Sequence, residues 1–215
     1  MSEHGSAVRA LDEARILRRV FNDSVLDTFE QLMLEQPAAQ PWVPVTDYSW
    51  DARKDVDGPT ADLIAATFPA ERILDFGCGH GHLQALLCSK AGLWVEAYDP
   101  HSPVFAQYPR GQYDLVVCRE VLEHVELRKY LGVVRELCDL SKRWVYLTTR
   151  FHPDPQHLLD VATSDELDPT HITMLNQDFL RALFVLHGFK RDREKEQTMD
   201  HLKKGRVLVY ERVTR

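Results

Sequence analysis

The sequence predicts an α/β fold built on a doubly wound, mostly parallel sheet, and three observations carry that expectation. Short apolar runs of strand length alternate with segments whose apolar residues recur at helical spacing. One such run, Ile73-Leu74-Asp75-Phe76, passes into a loop with glycine at every second position, Gly77-Cys78-Gly79-His80-Gly81. A stripe of Leu83, Leu86 and Leu87 follows at once. Near the end, Phe189–Glu196 and Arg206–Val213 alternate like two strands joined by a charged connection, which would close the sheet with an antiparallel C-terminal hairpin strand.

In order, residues 7–35 show apolar positions at roughly helical spacing (Leu17, Val20, Phe21, Val25, Phe29, Leu32, Met33), and Pro37 ends them. A connection rich in proline and aromatic residues follows, with Trp42, Tyr48 and Trp50 expected to dock on the core or to lid a pocket. Residues 1–56 are therefore expected to form an N-terminal helical arm and 57–215 the main domain. Asp57-Gly58-Pro59-Thr60 reads as a helix start with proline in the first turn. The glycine loop leads to a helix over 82–90, stopped at Ala91-Gly92, and then to a strand, Leu93 to Asp99. Only about a dozen residues, broken by Pro100, Pro103, Pro109 and Gly111, separate Asp99 from the next strand at 114–119, so the third strand/helix unit must be abbreviated. A helix over 121–140, a strand from Trp144 to Thr149, a loop-rich stretch over 151–176 and a helix from Asp178 to His187 complete the series.

The 215 residues suit one domain with an added N-terminal segment. The net charge of −7 argues against a nucleic-acid surface, which carries a basic field. The basic cluster Lys190-Arg191, Arg193, Lys195, Lys203-Lys204 and Arg206 is the feature that speaks for one. Cys78, Cys88, Cys118 and Cys138 show no C-x-x-C pairing, so reduced, mostly buried thiols are expected. The polar N-terminus and the lack of a long apolar run predict a soluble, cytoplasmic protein without a membrane span.

The glycine loop lets a ligand approach the backbone, because glycine has no Cβ and adopts positive φ. Its spacing is G-x-G-x-G and not the G-x-G-x-x-G of dinucleotide folds. Read from Asp75 to Gly81, it resembles the first motif of the class I S-adenosylmethionine (SAM)-dependent methyltransferases, [DE]-x-G-x-G-x-G. Tyr113-Asp114-Leu115-Val116-Val117-Cys118-Arg119-Glu120-Val121-Leu122-Glu123-His124-Val125 is similar to a second motif of that superfamily, F-D-x-V-x-x-x-x-V-L-E-H-V. With Thr170-His171-Ile172-Thr173 and the helix ending in His187-Gly188-Phe189, the resemblance covers about residues 57–215. It implies a Rossmann-like fold and SAM as cofactor. The implied cofactor-binding residues are Asp75, Gly77, Cys78, Gly79, Gly81, His82, Asp99, Pro100, Arg119 and Glu120. Asp99 would take the ribose diol, and Asp75 would support the loop and the methionyl ammonium at one remove.

Glu120-x-x-Glu123-His124 would gather two carboxylates and an imidazole on one helical face. Ubiquinone-pathway O-methyltransferases and the enzymes that 2′-O-methylate small-RNA 3′ ends use such a set with a later histidine. By that resemblance Glu120, Glu123, His124 and His171 would hold a divalent metal (Mg, Mn or Zn) that acidifies a substrate hydroxyl. Without a metal, His124, His171, His152 or Asp154 would serve as a general base. The expected function is methyl transfer to a small-molecule acceptor, most plausibly at oxygen, by a monomer or homodimer. The alternatives are a nucleotide or RNA 2′-O-methyltransferase and a non-catalytic SAM-fold binding subunit.

Overall fold

The computed structural model describes residues 23–36, 50–90, 92–165 and 168–213. The elements run α1 (Asp23–Glu35), α2 (Trp50–Thr67), β1 (Arg72–Phe76), α3 (His82–Cys88), β2 (Trp94–Tyr98) and β3 (Tyr113–Arg119). A 3₁₀ turn (Leu122–His124) precedes α4 (Leu127–Leu140), β4 (Ser141–Thr148), β5 (Val161–Ala162) and β6 (Met174–Leu175). The chain closes with α5 (Gln177–Leu186), β7 (Phe189–Arg191), α6 (Arg193–Met199) and β8 (Val207–Arg212). The expected N-terminal helix is thus described only from Asp23, and Trp42 and Tyr48 lie outside the described residues.

Two compact units can be distinguished. The first takes in the described residues of 50–121, 137–149 and 188–213, and it holds the whole six-stranded sheet in the order β2-β1-β3-β4-β8-β7. β1 to β4 are parallel, and β8 runs antiparallel to both of its neighbours. This is the expected doubly wound architecture. Between Asp99 and Gln112 the described chain forms turns with neither helix nor strand, so the abbreviated unit is reduced to a connection.

The sheet strands are apolar on both faces, as parallel strands covered on both sides must be. On one face Ile73, Leu115, Val117, Trp144, Tyr146 and Val209 form a core with Ala61 and Ile64 of α2 and Leu83 and Leu87 of α3. On the other face Leu74, Val116, Cys118, Val145, Leu147, Leu208 and Tyr210 are also buried. Phe68, just past α2, closes the first core with its ring 5.9 Å from Trp144 and 6.3 Å from Tyr146.

Three expectations need correction here. The helix expected from Asp57 begins at Trp50, with Pro59 inside it. Its early turns are held by an Arg53–Asp57 pair at 3.2 Å, and Thr60 Oγ1 donates to the Val56 carbonyl, so the proline does not end it. The segment 189–196 is a strand only to Arg191. Asp192 then caps α6 by accepting the Lys195 N–H at 3.0 Å, and Glu196 turns inward to Arg191 and the Val209 N–H. The third correction, to the helix over 121–140, belongs to the second unit.

That unit takes in the described residues of 23–36, 122–136 and 150–187. Phe29 of α1 meets Phe179 of α5 with ring centroids 5.9 Å apart, and β5 pairs antiparallel with β6. The expected helix over 121–140 is broken, because the Glu123 carbonyl accepts the N–H groups of Ile172 (2.8 Å) and Thr173 (3.1 Å). In an α-helix that carbonyl would accept from Leu127. The Leu127 N–H donates to Gln36 Oε1 instead. A 3₁₀ turn therefore stands where the sequence predicts the first helical turns, and α4 starts afresh after Glu126.

Replacing Phe68 by Ala should lower the stability of the sheet unit by about 3–5 kcal/mol. Urea unfolding of the two proteins, followed by tryptophan fluorescence, checks this.

Candidate functional site

In the sheet unit the glycine loop is pinned at the carboxyl ends of β1 and β2. The N–H groups of Gly77 (2.7 Å) and Cys78 (3.1 Å) both donate to the Tyr98 carbonyl. Gly77, Gly79 and Gly81 all have positive φ, at 76°, 54° and 77°. Gly77 and Gly81 are also sterically required, since a Cβ would lie 2.3 Å from Val121 Cγ2 in the first case and 2.7 Å from the Phe105 ring in the second. Gly79 differs. A Cβ there would meet nothing within 4 Å, so this part of the loop faces open space.

Asp99 organises that space. One carboxylate oxygen accepts the Gly79 N–H at 3.0 Å and the other the His101 N–H at 2.8 Å. Each oxygen has a lone pair left for a further donor, so a ribose diol fits. Pro100 follows it and is exposed. Of the two loop histidines, His80 is exposed and His82 is half-buried, and burial lowers the pKa of His82.

Asp75, at the end of β1, is buried, and burial pushes its carboxyl up to about 7. The Arg119 guanidinium opposes the rise and the Asp57 carboxylate adds to it. Arg119 donates from Nη1 to Asp57 at 2.9 Å. Glu120 follows β3 with φ +51° and sits 3.6 Å from Arg206. Burial also raises the Cys78 thiol. Of the four cysteines, Cys118 and Cys138 are buried, Cys78 is half-buried and Cys88 is exposed, all of them free thiols.

The second unit gathers the other set. The hydrogen bonds from Ile172 and Thr173 to the Glu123 carbonyl bring His171 beside His124, with ring centroids 4.8 Å apart. One ligand atom from each of Glu123, His124 and His171 lies within 4.8 Å of the others. Glu123 and His171 are buried. His124 Nδ1 is 3.0 Å from the Thr170 carbonyl, which requires a proton there and leaves Nε2 as the acceptor. His171 Nδ1 is 2.9 Å from Asp165, and its Nε2 is 3.5 Å from Asp168. Gln36 braces the group by donating to the Ile172 carbonyl and to Thr173 Oγ1, both at 2.8 Å.

Of the sequence-predicted ligands, Glu123, His124 and His171 therefore converge. The helical face expected to add Glu120 is not formed, because that residue has left-handed backbone and lies ahead of a 3₁₀ turn. His152 and Asp154 form a local turn, the Asp154 N–H donating to His152 Nδ1 at 3.1 Å. Sequence reasoning missed Gln36, Asp165, Asp168 and Thr170, which orient the histidines. The D-P-T-H spacing of Asp168 and Thr170 before His171 is the one local signal that pointed to them.

Part of the basic cluster is engaged in ion pairs. Lys190 pairs with Glu211, Arg191 with Glu196 and Lys195 with Asp192. Among the described residues no helix is long and apolar enough to cross a membrane.

A sheet of this order, with a positive-φ glycine loop and an acid at the end of the next strand, has the architecture of the class I methyltransferase fold. A family profile described as "Methyltransferase domain" matches residues 50–194, and the chain belongs to that methyltransferase family. Ubiquinone biosynthesis O-methyltransferase of Bordetella parapertussis is 32% identical over 112 residues, covering 40% of this chain and 45% of that protein. The chain thus spans less than half the length of that curated relative. Magnesium protoporphyrin IX methyltransferase from Synechocystis PCC 6803, solved with bound SAM, superposes with a TM-score of 0.53 at 20% identity, over 94% of this chain and 97% of that one. An O-methyltransferase family protein from Burkholderia thailandensis gives 0.53 at 14% identity, over 77% and 58%. At these identities the likeness shows a shared fold.

Gly77→Ala should abolish S-adenosylhomocysteine (SAH) binding in calorimetry and lower the melting temperature, since it combines a positive φ with a clash against Val121. Asp75 makes a pH-dependent prediction. Its folded pKa lies above the unfolded value near 3.9, so its contribution is fully present below that value and is lost as pH rises to about 7. Asp75→Asn should therefore be more stable than wild type at pH 8, by roughly 2–4 kcal/mol, with the difference shrinking towards pH 4. Urea unfolding at the two pH values measures it.

Proposed function

We propose that this protein transfers a methyl group from SAM to a hydroxyl oxygen of a small-molecule acceptor, assisted by a divalent metal held by Glu123, His124 and His171. The observation that carries the reading is the convergence of those three residues with the Nδ1 atom of each histidine already engaged. Metal-ligating histidines have this arrangement, in which a carbonyl or carboxylate fixes the tautomer and the ring orientation. A set of two imidazoles and a carboxylate suits Zn²⁺ or Mn²⁺ better than Mg²⁺, which prefers oxygen ligands.

The cradle fits SAM on three counts: open space over Gly79, acceptor capacity left on Asp99, and a buried acid at Asp75. When bound, SAM supplies a methyl group on a sulfonium sulfur, ready for in-line displacement. The protein's part is then alignment, with Asp99 and the glycine loop fixing one reactant. A metal at the histidine pair would supply Lewis acidity that lowers the pKa of the acceptor hydroxyl. Asp165 holds the His171 ring in place, and Thr170 does the same for His124.

One observation favours a second mechanism. The Asp165–His171 pair, at 2.9 Å, is also the geometry of an oriented general base, whose Nε2 would exchange its 3.5 Å approach to Asp168 for the hydroxyl proton. Calorimetric titration of SAH, followed by Mg²⁺, Mn²⁺ and Zn²⁺ into the loaded protein, separates the two. The expected result is one metal site, absent in His171→Ala and weakened about 10–100-fold in Asp165→Asn. SAH binding without any metal site would move the reaction to the Asp165–His171 base. Failure to bind SAH would remove the methyltransferase reading itself.

A further inference from the structure

The sheet unit contains a cavity of about 120 Å³ that is lined neither by the glycine loop nor by Asp99. Its walls come from α2, the ends of β3 and β4, the loop after α6 and the start of β8. Three polar atoms of wall residues are buried without a hydrogen-bond partner: Arg119 Nε, Thr148 Oγ1 and His201 Nε2. Buried polar atoms in native proteins are almost always satisfied, so three orphans around one cavity point to a group that completes them. Of the three, Arg119 is also among the residues that the resemblance implies for the cofactor, whereas Thr148 and His201 have no part in the proposed reaction.

The chemistry of the walls selects an acid. Arg119 Nε is a donor and cannot accept, and Thr148 offers a hydroxyl proton. Arg53, Lys204 and Arg206 add three more charges near them, against Glu120 and Asp200. Charges of both signs are already engaged, for Arg53 and Arg119 share the Asp57 carboxylate. Asp200 accepts the N–H groups of Lys204 (3.1 Å) and Gly205 (3.2 Å), and Glu120 faces Arg206 at 3.6 Å. His201 Nδ1 lies 3.2 Å from the Met199 carbonyl, so its proton is there and Nε2 accepts. An oxyanion with one protonated or hydroxyl-bearing neighbour satisfies all three orphans. The volume suits such a group with a few attached carbons, given that a water molecule's share of the liquid is about 30 Å³.

We infer that this cavity binds an acidic group, a carboxylate or a phosphate monoester, carried by the methyl acceptor. The assignment rests on the methyltransferase reading above and names the substrate class: a hydroxylated small acid rather than a neutral acceptor. The cofactor also has a carboxylate, and Arg119 and Glu120 are common to its implied site and to these walls, but the glycine loop and Asp99 do not line the cavity.

The test is calorimetric titration of inorganic phosphate into SAH-loaded protein. The expected result is saturable binding, weakened tenfold or more by Thr148→Val and by Lys204→Glu, with SAH affinity unchanged in both variants. Lys204 is exposed, so its variant folds even if Thr148→Val proves unstable. Lack of saturable binding would overturn the inference and leave a water-filled cavity. Binding unaltered by Lys204→Glu would place the ion elsewhere and overturn it equally. Phosphate that binds only in the absence of SAH would assign the cavity to the cofactor's carboxylate. The SAH titration is read first, so a failed methyltransferase reading cannot be mistaken for a failed anion site.

Discussion

The Arg119 guanidinium leaves the end of β3 and donates to the Asp57 carboxylate of α2 at 2.9 Å, with 13% and 4% of the two side chains exposed. Removing one partner of such a buried pair strands the other charge at a cost of roughly 3–5 kcal/mol. The pair therefore does more than join strand to helix. It explains why α2 continues through Gly58 and Pro59: Asp57 is bound from both sides, by Arg53 within the helix and by Arg119 from the sheet. It acts on Asp75 as well, whose carboxyl is raised first by its own burial, then held back by Arg119 and raised further by Asp57. It also leaves Arg119 Nε over, which is the first of the unsatisfied donors around the anion cavity.

The glycine loop works through backbone geometry in a comparable way. Tyr98 gathers two loop N–H groups and Asp99 takes a third, so the turn is fixed before any ligand arrives. Preorganisation of this kind lowers the ordering cost of binding. In the second unit a single carbonyl has the same role. The Glu123 oxygen takes two N–H groups from residues far along the chain, and that choice both breaks the predicted helix and delivers His171 to His124.

These two cases show what was legible. Ile73 to Gly81 could be read because positive φ and close approach leave a signature in residue type, and the strand runs could be read because burial on both faces demands apolar side chains. The match of Glu123, His124 and His171 was legible as a motif but not as a geometry. Helical spacing predicted that Glu120 would join them, whereas the Glu123 carbonyl was claimed by a segment some fifty residues away that periodicity cannot see. Asp192 is a different kind of miss. It stands three residues before Lys195 as a helix cap, but the alternation of Phe189 to Glu196 suggested a strand. The Arg119–Asp57 pair left no pattern, since nothing local marks which arginine will be buried.

Asp75 draws these strands together. A carboxyl held near neutrality by burial costs the fold little while it is protonated, and it is poised to ionise when a cation arrives beside it. In the proposed reaction the methionyl ammonium would sit at one remove from Asp75, so cofactor binding would favour loss of the Asp75 proton. Arg119, which feels both Asp75 and Asp57, would then face a second full negative charge.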